Sequence, residues 1–62
     1  MKKRDLIRTL AKMASGKGVR FGLERQGKHE VWYFGTLPLV IPRHTEISEP
    51  TAKEIIRRAE GT

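Results

Sequence analysis

The chain has 62 residues and carries thirteen Lys and Arg against seven Asp and Glu, which gives a formal net charge of +6. A chain this short forms one domain, residues 1–62, and its positive charge favours a polyanionic partner, nucleic acid before an anionic membrane. The absence of cysteine excludes a disulfide framework, a thiolate nucleophile and a thiolate-bound zinc site.

The N-terminal segment has the spacing of an amphipathic helix. Its apolar positions predict a first helix from about Lys3 to Ala14, with Gly16 as the C-cap. The basic residues around them predict either a surface that follows RNA phosphates or an ordinary solvated helix face. These residues are Lys2, Lys3, Arg4, Arg8 and Lys12.

The basic start does not lead into a secretory signal. Arg8 and Lys12 interrupt the apolar run that the core of a signal peptide requires. No stretch approaches the ~20 apolar residues of a membrane-spanning helix. We therefore expect a cytoplasmic protein without a membrane partner.

A first strand is predicted after the helix. Val19, Phe21 and Leu23 alternate with polar residues or glycine, which is the period of a strand with one apolar face. The segment Arg25–Lys28 then contains the glycine that is typical of a hairpin connection. A second strand is therefore expected to pair with the first in antiparallel fashion.

The second predicted strand, His29–Phe34, is apolar on both faces. Such a strand suits a sheet that packs on helices with one face and meets RNA or a partner protein with the other. Gly35-Thr36 suits a two-residue turn into a third strand, Leu37–Ile41. Pro38 cannot donate a hydrogen bond to a neighbouring strand, so this third strand is expected at an edge of the sheet.

The C-terminal segment predicts an irregular link, Pro42–Ile47, and a second helix. Ser48 is the expected N-cap, Pro50 is acceptable in the first turn and Gly61 ends the helix. The apolar stripe of this helix consists of Ala52, Ile55, Ile56 and Ala59. The order α-β-β-β-α predicts an α+β fold, a three-stranded antiparallel sheet with both helices on one face.

One histidine has a setting that favours chemistry. His29 follows the cation Lys28, where a basic turn leads into an aromatic strand. An imidazole exchanges protons near neutral pH, and a neighbouring cation suits proton transfer at a phosphodiester. No residues have the spacing of a metal site, so no metal or other cofactor is expected. The simpler interpretation is a surface histidine without a chemical role.

The element order, Gly27-Lys28-His29 and the link Pro42–Ile47 together resemble the HicA family of mRNA interferase toxins. The opening Lys3-Arg4-Asp5-Leu6-Ile7 is also similar to the start of that family. The resemblance implies a fold like a double-stranded RNA-binding domain, and a ribosome-independent toxin that cuts mRNA. It also implies a HicB-type antitoxin protein as partner, with any oligomer formed only through that antitoxin.

In that family a Gly-Ser or Gly-Asn pair precedes the catalytic histidine. The resemblance therefore assigns catalysis to His29 and the glycine position to Gly27. This chain departs from the pattern at Lys28, which stands where the family has Ser or Asn. The departure concerns substrate preference and strength of activity more than the fold.

RNA carries its own nucleophile, the 2′-hydroxyl, so cleavage needs a base, an acid and positive charge near the phosphorane. We assign the acid or base role to His29, and expect Lys28 and Arg25 to stabilise the developing phosphate charge. His44 is a candidate for the complementary acid or, more simply, a residue bonded locally or to Glu46. The expected substrate-binding residues are Lys28, Gly27, Arg25 and His44.

The aromatic residues of the second strand have two interpretations, core packing and stacking on RNA bases. Trp32 and Tyr33 point to opposite faces, so both can lie in a core only if both faces are covered.

Two alternatives to an endoribonuclease remain open. One is a non-catalytic RNA-binding module of the same fold, and the other is a small basic structural protein of a ribonucleoprotein.

Overall fold

A computed structural model describes all 62 residues and contains two helices and three strands. These are α1 (Lys3–Lys17), β1 (Phe21–Arg25), β2 (Glu30–Phe34), β3 (Leu37–Ile41) and α2 (Glu49–Glu60). The strands form one antiparallel sheet in the order β1-β2-β3, and both helices pack on the same face. The predicted α+β class and the order α-β-β-β-α are confirmed.

The core lies between the helices and one face of the sheet. Strand register explains which side chains enter it, since Trp32 lies opposite Leu39 and Phe34 lies opposite Leu37. Side chains of both helices, of β2 and β3 and of the link before α2 form one buried cluster. Its members are Leu6, Leu10, Ala14, Phe34, Leu39, Ile41, Ile47, Ala52, Ile55 and Ala59. The other face of the sheet carries no helix and stays open.

Helix α1 ends later than the sequence predicts, because the C-cap is Gly18 and not Gly16. Gly18 has a φ of 70°, a left-handed conformation that glycine adopts without strain. Its N–H donates to the carbonyl of Ser15, and the N–H of Val19 donates to that of Ala14. These two hydrogen bonds form the Schellman motif, and this motif lets Val19 pack against the core rather than begin the strand.

The first hairpin also differs from the prediction. Arg25 is the last residue of β1 and not part of the connection, because a bulge between Leu23 and Arg25 places Arg25 opposite Val31. β2 begins at Glu30, so His29 lies in the connection, one residue before the strand rather than within it. The connecting loop is therefore residues 26–29.

The second hairpin agrees with the prediction. Gly35 has a φ of 62° at the first central position of a two-residue turn, and no other residue of the turn has a positive φ. Such turns close on a hydrogen-bonded pair, here Phe34 and Leu37. The backbone nitrogen of the following residue, Pro38, which carries no hydrogen, therefore points away from β2 to the free edge of the sheet.

Helix α2 begins after Ser48, as predicted, but the Ser48 hydroxyl donates to the Thr51 hydroxyl at 2.9 Å and caps no backbone N–H.

At the other end of the molecule, Lys17 donates to the carbonyls of Glu60 and Thr62, both at 3.1 Å. This contact ties the C-terminal ends of the two helices together. Neither helix has the length and apolar character needed to cross a membrane.

Candidate nucleic-acid interface

The loop 26–29 brings three of the expected site residues to one end of the sheet. Gly27, Lys28 and His29 are all exposed there, and Arg25 is exposed at the adjoining end of β1. The imidazole of His29 makes no hydrogen bond or ion pair within the protein. This side chain is therefore available to a ligand.

A residue that the sequence analysis did not select holds this loop. Arg43 donates through Nη1 to the carbonyl oxygen of Gly27 at 3.1 Å, which joins the loop to the link before α2. The contact fits the register of the hairpin, in which Glu30 lies opposite Ile41. In the sequence, the signal that could have identified Arg43 is its position as a cation beside the second histidine, in Pro42-Arg43-His44.

His44 lies in this same link and is exposed. The expected bond between His44 and Glu46 does not form, because Glu46 pairs with the Met1 amino group at 3.0 Å. That hydrogen-bonded carboxylate, aided by the charge of Glu49, raises the pKa of the amino group above its ordinary value of 8.0. His44 has no partner within the protein and, like His29, is free to meet a ligand.

A buried carboxylate supports the backbone beside His29. Glu30 faces the core, where the Lys3 ammonium lies 2.6 Å from its Oε1 and the Trp32 indole N–H donates to the same oxygen at 3.0 Å. These two partners, with the charge of Arg43, hold the pKa of the Glu30 carboxyl below its ordinary value of 4.5. The strand residue next to His29 is thereby fixed to α1.

The ion pair between Lys3 and Glu30 removes one cation from the basic face that was predicted to follow RNA phosphates. Lys3 is half-buried against Glu30 and does not belong to a solvated basic face. Arg4 lies 3.8 Å from Asp5, whereas no ion pair involves the remaining cations of the segment, which are Lys2, Arg8 and Lys12. The start of α1 lies beside the link, since the Lys3 N–H donates to the Thr45 carbonyl at 2.8 Å.

Cations at this end of the sheet are not neutralised by carboxylates. Neither Arg25, Lys28 nor Arg43 forms an ion pair, and all three are exposed. We call these three residues, with His29 and His44, the basic end. Unpaired cations around an unpartnered imidazole form a surface that attracts phosphates.

The three aromatic residues of β2 separate by face. Phe34 is fully buried, and Trp32 stacks on Phe21 with ring centroids 5.1 Å apart. Core packing is therefore the role of these two rings. Tyr33 lies on the open face, where it is half-buried and does not pack against the core.

The basic end is an open surface and not a pocket. A groove of about 340 Å³ lies elsewhere, between β3 and α2, and none of the expected site residues lines it. No three His, Asp or Glu side chains converge as metal ligands do. A flat, basic surface suits a polymer better than a small metabolite, which proteins usually enclose.

Comparison of the chain with protein-family models, with curated proteins and with solved structures found no match. The function is therefore inferred from the residues of this chain. The features that carry the inference are an unpartnered histidine, three unpaired cations and a sheet face that no helix covers.

Proposed function

We propose that this protein is an endoribonuclease of the HicA type, an mRNA interferase that cleaves RNA with His29 as general acid or base. The observation that carries the proposal is the basic end, where an exposed imidazole without a protein partner lies among unpaired cations. The net charge of +6 supports a polyanionic substrate. The resemblance of the element order and short motifs to that family supports mRNA as the substrate.

The chemistry follows from the substrate. His29 removes the proton of the 2′-hydroxyl, whose oxygen attacks the adjacent phosphorus while the bond to the 5′-oxygen breaks. The leaving 5′-oxygen takes a proton from an acid, for which His44 is the candidate within the same basic end. Lys28 and Arg25 stabilise the negative charge that builds on the phosphate oxygens. The products are a 2′,3′-cyclic phosphate and a free 5′-hydroxyl.

The test compares wild type with His29→Ala on end-labelled RNA in buffer containing EDTA. We expect the variant to cleave about 10²–10⁴-fold more slowly and to bind the RNA as well as before. Arg58→Ala is the control, because Arg58 is an exposed cation near the end of α2 and outside the basic end. A 5′-phosphate product, or cleavage that EDTA abolishes, would contradict the scheme.

His44→Ala tests the second histidine. If His44 is the acid, cleavage falls while RNA affinity is kept. Full activity of His44→Ala would leave the leaving-group proton to water or to another group. Melting temperatures of all variants check the fold, and little change is expected because both histidines are exposed.

The partner in this proposal is an antitoxin protein of the HicB type with acidic character, which would cover a basic surface. Induced expression of wild type should arrest growth and deplete mRNA, whereas His29→Ala should do neither. Co-expression of an acidic protein encoded beside this chain should restore growth. Arrest by both forms of the chain would separate toxicity from His29.

A second candidate is a non-catalytic RNA-binding module. The observation that favours it is that no side chain hydrogen-bonds to the His29 imidazole, whereas catalytic bases are commonly oriented by a third group. In this case His29 and Lys28 only contact phosphates. RNA binding without cleavage in wild type, with the same affinity in His29→Ala, would identify this function.

A further inference from the structure

The open face of the sheet combines apolar side chains with cations. Val31 and Tyr33 of β2 point to this face, and neither packs against the core cluster. On the edge strand β3, Val40 is 52% exposed and lines the groove beside α2, apart from the Tyr33 ring. An apolar surface left open in a small basic protein calls for a ligand that is apolar in part and anionic overall.

The side chain of Tyr33 reaches across to the neighbouring strand. Gly22 lies opposite Tyr33, and a Cβ atom on Gly22 would come within 2.5 Å of the Tyr33 Oη and 2.8 Å of its Cζ. Only glycine allows this close approach. The far end of the ring therefore lies against the backbone of β1, and because no helix covers this side of the sheet, the side chain stays partly exposed.

An aromatic ring in this position is a stacking platform. The missing side chain of Gly22 leaves room for the ring beside β1, on the face of the sheet that no helix covers. The phenol oxygen makes no hydrogen bond within the protein. Stacking of unpaired bases on exposed aromatic side chains of a sheet is a common way of holding single-stranded RNA.

The platform and His29 lie close along the chain. Side chains alternate along a strand, so Tyr33 and Val31 share the open face of β2, and His29 lies in the loop immediately before this strand. Four residues of strand span about 13 Å. A single strand with its phosphate at His29 can therefore place a nearby base on Tyr33.

Cations border the platform on β1. Arg25, the member of the basic end that lies on β1, is opposite Val31. Arg20 lies at the other end, where its carbonyl accepts from the Gly35 N–H at 2.7 Å and extends the pairing by one residue. Glu24, at the bulge, is the one carboxylate of this strand. Arginines on both sides of an aromatic ring match a ligand with a phosphate backbone and flat bases.

We propose that Tyr33, beside Gly22, is a base-stacking subsite for single-stranded RNA on the strand that follows His29. The proposal rests on RNA as the ligand in the proposed function, and it does not depend on cleavage. It adds an RNA-binding position outside the basic end.

The test measures binding of a fluorescein-labelled 2′-O-methyl oligoadenylate, which has no free 2′-hydroxyl and therefore reports binding without cleavage. Tyr33→Ile keeps an apolar, strand-favouring side chain but removes the ring. We expect it to bind about 5- to 150-fold more weakly, with the salt dependence unchanged because no phosphate contact is lost. Tyr33→Phe keeps the ring and should bind like wild type.

Val40→Thr is the matched control, an apolar residue of the same face without a ring, and should bind like wild type. Melting temperatures verify that all variants fold. Unchanged binding by Tyr33→Ile overturns the subsite, as does an equal loss in Tyr33→Phe or in Val40→Thr. Self-association that depends on Tyr33, with oligonucleotide binding unaffected, would assign the face to a protein contact and also overturn it.

The remaining outcomes separate the two proposals. If wild type does not bind the oligonucleotide, the subsite and the proposed function fail together. If Tyr33→Ile weakens binding as expected but wild type does not cleave RNA, only the nuclease fails. If wild type cleaves RNA and Tyr33→Ile binds normally, only the subsite fails.

Discussion

The two faces of β2 differ in what they contact. On the inner face Glu30, Trp32 and Phe34 all have partners, an ammonium, a stacked ring and a closed core. On the open face Val31 and Tyr33 do not pack against the core. The period of two thus gives this strand one face that stabilises the fold and one face left open to ligands, and substitutions on the two faces should have different consequences.

Phe34→Ala should have the largest effect. Phe34 is fully buried at the centre of a small core, and removing such a ring costs about 3–5 kcal/mol. This is comparable with the whole stability of many small domains, so we expect the chain to lose cooperative unfolding. Circular dichroism during urea titration measures it. A folded Phe34→Ala variant with a normal midpoint would show that the inner face is not the stabilising one.

Glu30→Gln should have the next largest effect. The amide keeps the shape of the side chain but leaves the Lys3 ammonium without its charge partner, which should cost about 1–3 kcal/mol. Glu54→Gln is the matched control, because Glu54 pairs with Arg57 on the surface at 3.8 Å. We expect that variant to stay within about 0.5 kcal/mol of wild type. Equal losses in both would remove the distinction between the inner face and the surface.

The effect of Glu30 should depend on pH. Its folded-state pKa is lowered, so the carboxylate stabilises the fold above pH 4.5, its ordinary pKa, and this contribution is lost as the pH falls through the lower folded-state value. The difference between wild type and Glu30→Gln should be complete at neutral pH and should narrow below pH 4.5. Urea midpoints measured across the acid range provide the check. A difference independent of pH would refute the ion pair as its cause.

Gly22→Ala sharpens the comparison on the open face. The added methyl group collides only with the far end of the Tyr33 side chain, which can swing away, so stability should change by less than about 1 kcal/mol. The ring is then displaced from its position beside β1, and affinity for single-stranded RNA should fall about fivefold. Urea titration and fluorescence anisotropy measure the two effects. A large loss of stability with normal binding would reverse the assignment of this face.

Lys28→Ala should have the smallest effect. Lys28 is exposed and unpaired, so stability should not change. Loss of one phosphate contact should lower the slope of log affinity against log salt by about one. The slope comes from anisotropy titrations at several salt concentrations. An unchanged slope would place Lys28 away from the RNA backbone.

Sequence patterns predicted the fold well where local rules decide it. The apolar spacing of both helices, the turn at Gly35 and the edge position of Pro38 follow from backbone geometry and hydrophobic period. The predicted end of α1 was wrong because the segment Ser15-Gly16-Lys17-Gly18 contains two glycines that could end the helix, and only the second lets Val19 reach the core. Arg25 was misplaced because a bulge breaks the alternation from which strands are predicted.

The candidate site was predicted less completely. Lys28, His29 and His44 have short-range signatures and were selected. Arg43 and Glu30 were not, because their roles depend on contacts between residues far apart in the chain, with Gly27 and Lys3. The buried position of Glu30 could not be predicted for the same reason. Nothing in the sequence around this carboxylate identifies the ammonium group that pairs with it in the fold.

The contact between Arg43 and the Gly27 carbonyl has a consequence for how this protein can change. The guanidinium holds a main-chain oxygen, which every amino acid supplies, so the anchor does not depend on which side chains the loop carries. Gln26 and Lys28 can therefore be exchanged without loosening the loop. Libraries randomised at these two positions should stay folded while their preference for substrates diverges, which makes the loop a natural place for selection to retune recognition.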